Sequence, residues 1–254
     1  MPLECRPQQL QAALPRRQLL ALACCAAAAA TVPTYPASAS GILQLPVDRL
    51  SNTYFLVAKT STTAGLSRNG KRQVVKETYP ALRQLGLDSS CWIWPSITQN
   101  AYQTAEVLAE LHGVGRNRVV PEFSFLDARG VGELERLPLS EVAAALEAGD
   151  SLAPTWRPAP NVDGTVHESS ADVLVRVRQL LSLLETQYNG DTVVIVSPDS
   201  DNLSVLQAAV LGVDLRSHHS YAFAPGEARR LELASGERPE PPTSFACPRP
   251  PQCI

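Results

Sequence analysis

Residues 191–207, DTVVIVSPDSDNLSVLQ, constrain the fold of this chain more than any other stretch. Residues 192–196 form an apolar run rich in β-branched side chains, the composition of a strand buried on both faces. Residues 197–202 then turn polar, and Leu203, Leu206, Ala209 and Val210 follow at the spacing of one buried helix face, with Asp201 or Asn202 as N-cap. A buried strand, a polar turn and a helix start put free backbone N–H groups and the positive end of a helix dipole at the strand's carboxyl edge. In open α/β sheets that edge is where ligands sit.

The rest of the chain supplies the neighbours such a strand needs. Residues 53–59, TYFLVAK, predict a first strand, followed by a helix from its N-cap Ser67 to about Leu85, closed by Gly86. Residues 91–94 predict a second strand stopped by Pro95, and residues 100–111 a helix ended by Gly113, with Ala101, Ala105, Leu108 and Ala109 toward the sheet. Residues 118–120 predict a third strand. The loop after Pro121 carries Phe123, Phe125, Leu126, Asp127 and Arg129, with Gly130 and Gly132 marking tight backbone. Ser140 caps a helix over 142–146, a proline-rich excursion spans 149–167, and Ser169 or Ser170 opens the clearest helix. In that helix Val173, Leu174, Val177, Leu180, Leu181 and Leu184 recur at helical spacing, and Gly190 closes it. Strands alternating with helices predict an α/β fold, a three-layer α/β/α sandwich with a mostly parallel mixed sheet and helices on both faces.

The first forty residues do not belong to that core. Arg16 and Arg17 precede Gln18, Leu19 and Leu20, then an Ala-rich run to Ala30 and a small-residue end, Ala37-Ser38-Ala39. This is the layout of a cleavable export signal, and the run is shorter than the ~20 residues of a membrane span. The arginine pair fits a twin-arginine signal, the alternative being a chance pair in an ordinary signal. The expected division is therefore a targeting region over 1–40, an α/β domain over 41–232 and a proline-rich tail over 233–254. The leader takes three of the 22 basic and one of the 25 acidic residues, leaving a net charge of −5 on the remainder. No basic run survives, which speaks against a nucleic-acid or anionic-membrane partner, and no membrane span is expected in the mature chain.

Three cysteines, Cys5, Cys24 and Cys25, leave with the signal, and Cys91 reads as an inert core thiol. Cys247 and Cys253 bracket a proline-rich pentapeptide and form either a small disulfide loop or two free tail thiols. Trp92 and Trp94, two residues apart, share one strand face and read as core.

Several pieces between Asn52 and Arg229 together resemble the histidine phosphatase superfamily, specifically its phosphoglycerate-mutase-like members from plants and algae. They are the strand TYFLVAK; Leu66-Ser67-x-x-Gly70-x-x-Gln73; SITQNAYQTAE over 96–106, the most specific block; Leu126-Asp127-Ala128-Arg129-x-x-Gly132; Glu168-Ser169; and residues 191–207. The resemblance implies a mechanism with five groups. A histidine ending the first strand takes the phosphoryl group, an arginine just before it and another heading the helix after the second strand grip the phosphate, a second histidine follows the last strand, and a glutamate donates the proton. Neutral imidazole is nucleophilic near pH 7, guanidinium forks match phosphate oxygens in pairs, and a carboxylic acid protonates the leaving oxygen.

Carried over position by position, none of the five survives. Ala58 and Lys59 stand for the first arginine and histidine, Asn100 for the second arginine, Ala128 for the acid and Pro198 for the second histidine. Lys59 is a point charge without a fork, and Pro198 offers neither base nor N–H. His112, His167, His218 and His219 lie off these positions. The expectation is a catalytically inactive binding or scaffold module, needing no cofactor, whose partner is an unidentified protein or a phosphorylated small molecule. The alternatives are a phosphatase with non-standard residues and a sensor of a phosphorylated metabolite.

Lys59, Asn100 and Arg129 either retain a weak anion site or, for Lys59, simply end a strand in solvent. Asp127, Asp199 and Asp201 would suit a hard cation, yet loop aspartates before helices more often structure turns, the reading taken here with no metal assigned. The His218-His219 pair after a helix reads as solvated surface rather than a metal site. The resemblance places the mature protein in a chloroplast, with the twin-arginine signal directing it to the thylakoid lumen; in a bacterium the same signal would mean the periplasm.

Overall fold

The computed structural model describes residues 43–47, 49–60, 65–87 and 90–234. The targeting region and the cysteine pair Cys247 and Cys253 lie outside these residues. Four strands form one sheet in the order β2-β3-β1-β4: β1 (Thr53–Ala58), β2 (Cys91–Pro95), β3 (Thr192–Ser197) and β4 (Ala228–Arg230). β3 pairs in parallel with both β1 and β2, in registers that set Ala58 opposite Ser197 and Pro95 opposite Val196. β4 pairs antiparallel with β1, so the sheet is mixed.

Strand alternation sorts the apolar side chains into two cores. Tyr54, Leu56, Ile195, Val193 and Trp94 face one side, where they meet Val173, Val177, Leu180, Leu181 and Leu184 of α5 (Ser170–Gln187) and Leu203, Leu206 and Val210 of α6 (Asp201–Leu211). Phe55, Val57, Val194, Val196, Ile93 and Cys91 face the other, against Val74 and Leu82 and against Ala101, Ala105 and Leu108 of α3 (Gln99–His112). Helices thus cover both faces, as the fold-class expectation requires. β3, buried on both sides, is the strand whose continuous apolar run announced it.

The first helical stretch starts at Ser67, whose Oγ accepts from Gly70 N at 3.0 Å, and runs through α1 (Arg68–Gln73), a π turn (Val74–Thr78) and α2 (Tyr79–Gln84). Pro80 accounts for the π turn. It has no N–H to return to Lys76 and its ring crowds that carbonyl, so the helix widens and Tyr79 N reaches back to Val74 O. At α5 Ser169 and Asp172 form a reciprocal capping box.

Other expectations need correction. The expected third strand is a 3-10 turn, Arg116–Arg118, followed by two isolated bridges, Ile93 to Val119 and Ser96 to Glu122, with Pro121 between them. α4 (Leu139–Leu152) is longer than expected at both ends, starts without a side-chain cap from Ser140, and takes in Gly149 and Asp150 from the assumed loop. α6 is not capped by Asp201 or Asn202. The Asp199 carboxylate does that work, accepting from Asn202 N at 3.0 Å. After Gly226, where charge takes over, the chain still forms β4. Arg229 is accommodated there by a bond to Glu227 and by lying 4.1 Å over the Phe223 ring. Trp92 and Trp94 pack against Tyr188, and the Trp94 indole donates to the Tyr188 hydroxyl at 3.1 Å. Among the described residues no helix is long and apolar enough to cross a membrane.

Candidate functional site

The parallel register brings the ends of β1, β2 and β3 to one edge. Lys59 N donates to Ser197 O and Ser96 N to Val196 O, each at 3.0 Å. Asn100, buried in the first turn of α3, lies just beyond β2, and Pro198 just beyond β3. The Asn202 amide donates to Asp127 O at 2.9 Å and to Ser197 Oγ at 3.3 Å, which holds the segment carrying Ala128 against the turn after β3. Ala58, Lys59, Asn100, Ala128 and Pro198, separated widely in sequence, therefore belong to the same end of the sheet.

That end is built from polar main-chain clamps. The Arg176 guanidinium makes two bonds to Glu168, at 2.8 and 2.9 Å, and donates to Phe125 O and Asp127 O. Glu168 in turn accepts from Gly130 N at 3.0 Å. Gly130 has to be glycine, since a Cβ there would lie 2.4 Å from Val166 O. Glu122 accepts from Ser124 N and Leu126 N and shapes the start of the same loop. Thr60 Oγ1, Thr98 Oγ1 and Asn202 Oδ1 are buried at this edge without a hydrogen-bond partner among the described residues.

Arg129 and the histidine pair are placed differently from the sequence reading. Arg129 is not available to an anion. Its guanidinium donates to both Asp150 oxygens at 2.6 and 2.8 Å, to Asp201 at 3.0 Å and to Glu168 O at 3.1 Å, with only 2% of the side chain exposed. Nor is the histidine pair a surface feature. His218 is completely buried, and both His218 Nε2 and His219 Nε2 lie 3.0 Å from Asp150 Oδ2. His218 Nδ1 lies 2.9 Å from Ser204 Oγ. Lys59, the first residue after β1, is half-buried.

The aspartates divide as turn-formers and ion-pair partners. Asp199 accepts from Arg129 N at 2.6 Å as well as from Asn202 N, and Asp201 pairs with Arg129. Burial and then the neighbouring Asp201 charge push the Asp199 carboxyl up to about 6 against those hydrogen bonds. Burial also raises Asp127. Burial opposes the charged form of Asp150, but hydrogen bonds from Arg129, His218 and His219 outweigh it and hold that carboxyl well below the usual range.

The sequence reading missed Asp150 altogether, because a lone acid near a helix end carries no periodic signal of burial. A surface groove of about 460 Å³ lies beside α3, lined by Lys71, Tyr102, Glu106, Glu110 and Arg116 among others. It includes none of Lys59, Asn100, Ala128 and Pro198, and the chemistry inferred from position is not there.

A sequence model of the histidine phosphatase superfamily (branch 1) matches residues 57–239, more than half of the chain. No curated protein matches by sequence. Among solved structures, a mycobacterial glucosyl-3-phosphoglycerate phosphatase is similar at 20% identity and a TM-score of 0.54, covering 70% of this chain and 88% of that one. YhfR of Bacillus stearothermophilus is similar at 20% identity and a TM-score of 0.52, covering 73% of this chain and 93% of that one. An alpha-ribazole phosphatase from Shigella flexneri shares 18% identity at a TM-score of 0.50, covering 70% of this chain and 89% of its own. At such identities these neighbours speak to the fold, and the family match speaks to descent: the chain belongs to the histidine phosphatase superfamily, branch 1.

Proposed function

We propose that this protein is a catalytically inactive member of its superfamily that serves as a binding or scaffold module. The observation that carries the reading is the chemistry at the carboxyl edge. The five positions that the family uses for nucleophile, clamps and acid hold Ala58, Lys59, Asn100, Ala128 and Pro198, which supply no imidazole, guanidinium or carboxyl group. The nearby Arg129 cannot substitute, since Asp150 and Asp201 occupy its fork. Removing one donor that stabilises transition-state charge costs ~3 kcal/mol, so loss of all five groups leaves no barrier lowering by this route. The test is hydrolysis of p-nitrophenyl phosphate by residues 41–254, run beside exposure to a labelled phosphoryl donor. No turnover and no label support the reading; a phosphorylated side chain overturns it.

A second reading, a sensor of a phosphorylated metabolite, draws on Thr60 Oγ1 and Thr98 Oγ1 at the edge, which have no hydrogen-bond partner among the described residues, and on the charge of Lys59. Calorimetry with phosphate and sugar phosphates tests it, and binding unchanged by Lys59→Ala refutes it. A hydrolase with non-standard residues would draw its acid from Asp199, whose carboxyl is held near 6, so Asp199→Asn would abolish any turnover found. The proposed location is the thylakoid lumen, or the periplasm in a bacterium; sequencing of the mature N-terminus near residue 40 checks it.

A further inference from the structure

We propose that Asp150, His218 and His219 form a binding site for a divalent transition-metal ion, separate from the five family positions. The three side chains come from α4 and from the 3-10 segment Leu215–Tyr221, and their ligand atoms lie within 4.8 Å of one another. Both imidazole Nε2 atoms are 3.0 Å from the same oxygen, Asp150 Oδ2. An ion bonded at about 2.1 Å to nitrogen and oxygen needs neighbouring donors roughly 3–4 Å apart, which these two edges already satisfy.

The bonding at Asp150 points the same way. Oδ2 also accepts from Arg129 Nη1 at 2.6 Å, so three N–H donors would converge on an oxygen with two lone pairs. An ion in place of the two imidazole protons leaves one lone pair for Arg129 and one for the metal. On the far side of His218, Ser204 Oγ donates to Asp201 O at 3.2 Å and has a lone pair free to accept Nδ1–H at 2.9 Å. With an ion on Nε2, the Nδ1–H tautomer of His218 keeps Ser204 Oγ as its acceptor, the usual support of a metal-bound histidine.

Charge also argues for a cation. Three carboxylates gather on Arg129, Asp150 and Asp201 on its guanidinium and Asp199 on its main-chain N–H, against a single positive charge. In a buried setting that excess of negative charge is costly, and a dication offsets it. Two imidazoles and one carboxylate suit zinc, cobalt, nickel or copper rather than magnesium or calcium, which favour all-oxygen shells. The His219 side chain, 17% exposed, gives the ion its way in.

The experiment uses the untagged chain, stripped with a chelator and titrated with Zn²⁺ by calorimetry and with Co²⁺ by visible absorption. The expected result is one ion per chain, with d–d bands of nitrogen and oxygen ligation and no thiolate charge-transfer band. His219→Ala should weaken binding by about tenfold or more, while His112→Ala leaves it unchanged. Absence of binding overturns the proposal. So does binding that His219→Ala leaves intact, or binding abolished by Cys247→Ser with Cys253→Ser, which places the ion on the tail thiols. Should His219→Ala fail to fold, the imidazole ¹⁵N resonances of the wild-type chain decide: zinc-dependent shifts at Nε2 of His218 and His219 support the site, and unmoved resonances refute it.

Discussion

Replacing Arg129 with methionine removes the cation at the centre of the buried charge cluster while keeping a side chain of similar reach. The guanidinium makes bonds of 2.6 and 2.8 Å to Asp150, which is fully buried, and one of 3.0 Å to Asp201, whose side chain is 17% exposed. Hydrogen bonds to charged groups contribute about 1.5–3 kcal/mol each, and breaking one side of a buried ion pair costs about 3–5 kcal/mol. The two imidazoles still face Asp150 and Asp201 gains water, so the expected loss is about 4 kcal/mol rather than the sum over three bonds. Against a total stability of about 5–15 kcal/mol, that is a large fraction. Urea unfolding at pH 7 in the presence of a chelator measures it, provided the denaturant slope is unchanged. The double variant Arg129→Met with Asp150→Leu removes both charges and should recover to within about 1–2 kcal/mol of wild type, because an apolar pair replaces a buried ion pair with little loss. The pH dependence follows in sign. The folded-state pKa of Asp150 is depressed, so its stabilisation is present above the ordinary carboxylate range and lost as pH falls toward the folded value. Without Arg129 that loss begins at higher pH. A cost below about 1 kcal/mol for Arg129→Met, or a double variant no better than the two single losses added, would refute the reasoning.

Asp199 has the opposite sign. Its folded carboxyl, held at about 6, binds its proton more tightly than the unfolded chain does, so stability should fall as pH rises from about 4 to about 6. Asp199→Asn keeps an acceptor for Asn202 N and should flatten that part of a pH–stability curve; an unchanged slope counts against it. Ser169→Ala breaks the capping box of α5 and should cost about 1 kcal/mol in urea unfolding, the loss confined to stability. Cys91 is fully buried, and burial pushes its thiol up to about 11. Alkylation of Cys91, followed by peptide mapping at pH 8, should proceed only at the rate of unfolding, and rapid labelling of the folded chain would show the opposite.

Much of the scaffold was legible because it rests on local patterns. The β-branched run of β3, the Ser67 and Ser169 caps and the leucine spacing of α5 each have a short-range cause, and each is found in place. What misled was tertiary. Residues 118–120 carry strand-like composition, but the 3-10 turn ending at Arg118 and Pro121 beyond it leave only isolated bridges at Val119 and Glu122 beside β2. β4 is short and basic, and its existence depends on Leu56 and Val57 offering a free edge. The charge cluster is the extreme case. Arg129, Asp150, Asp201 and His218 come from four segments, and nothing in the neighbours of Asp150 along the chain foretells that it is buried. The gathering of Ala58, Lys59, Asn100, Ala128 and Pro198 at one edge was legible only through family resemblance, since alanine, proline and asparagine carry no chemical signature of a site.

The outer flank of the sheet at β4 has a bearing on how the protein behaves in a crowd. A neighbouring molecule seeking to extend the sheet there would find three residues to pair with, two of them the arginines at 229 and 230. Side-by-side stacking would have to rest on a ladder of three residues, too brief to hold two molecules together. The β4 flank thus offers a poor template to a strand that would extend the sheet from that side.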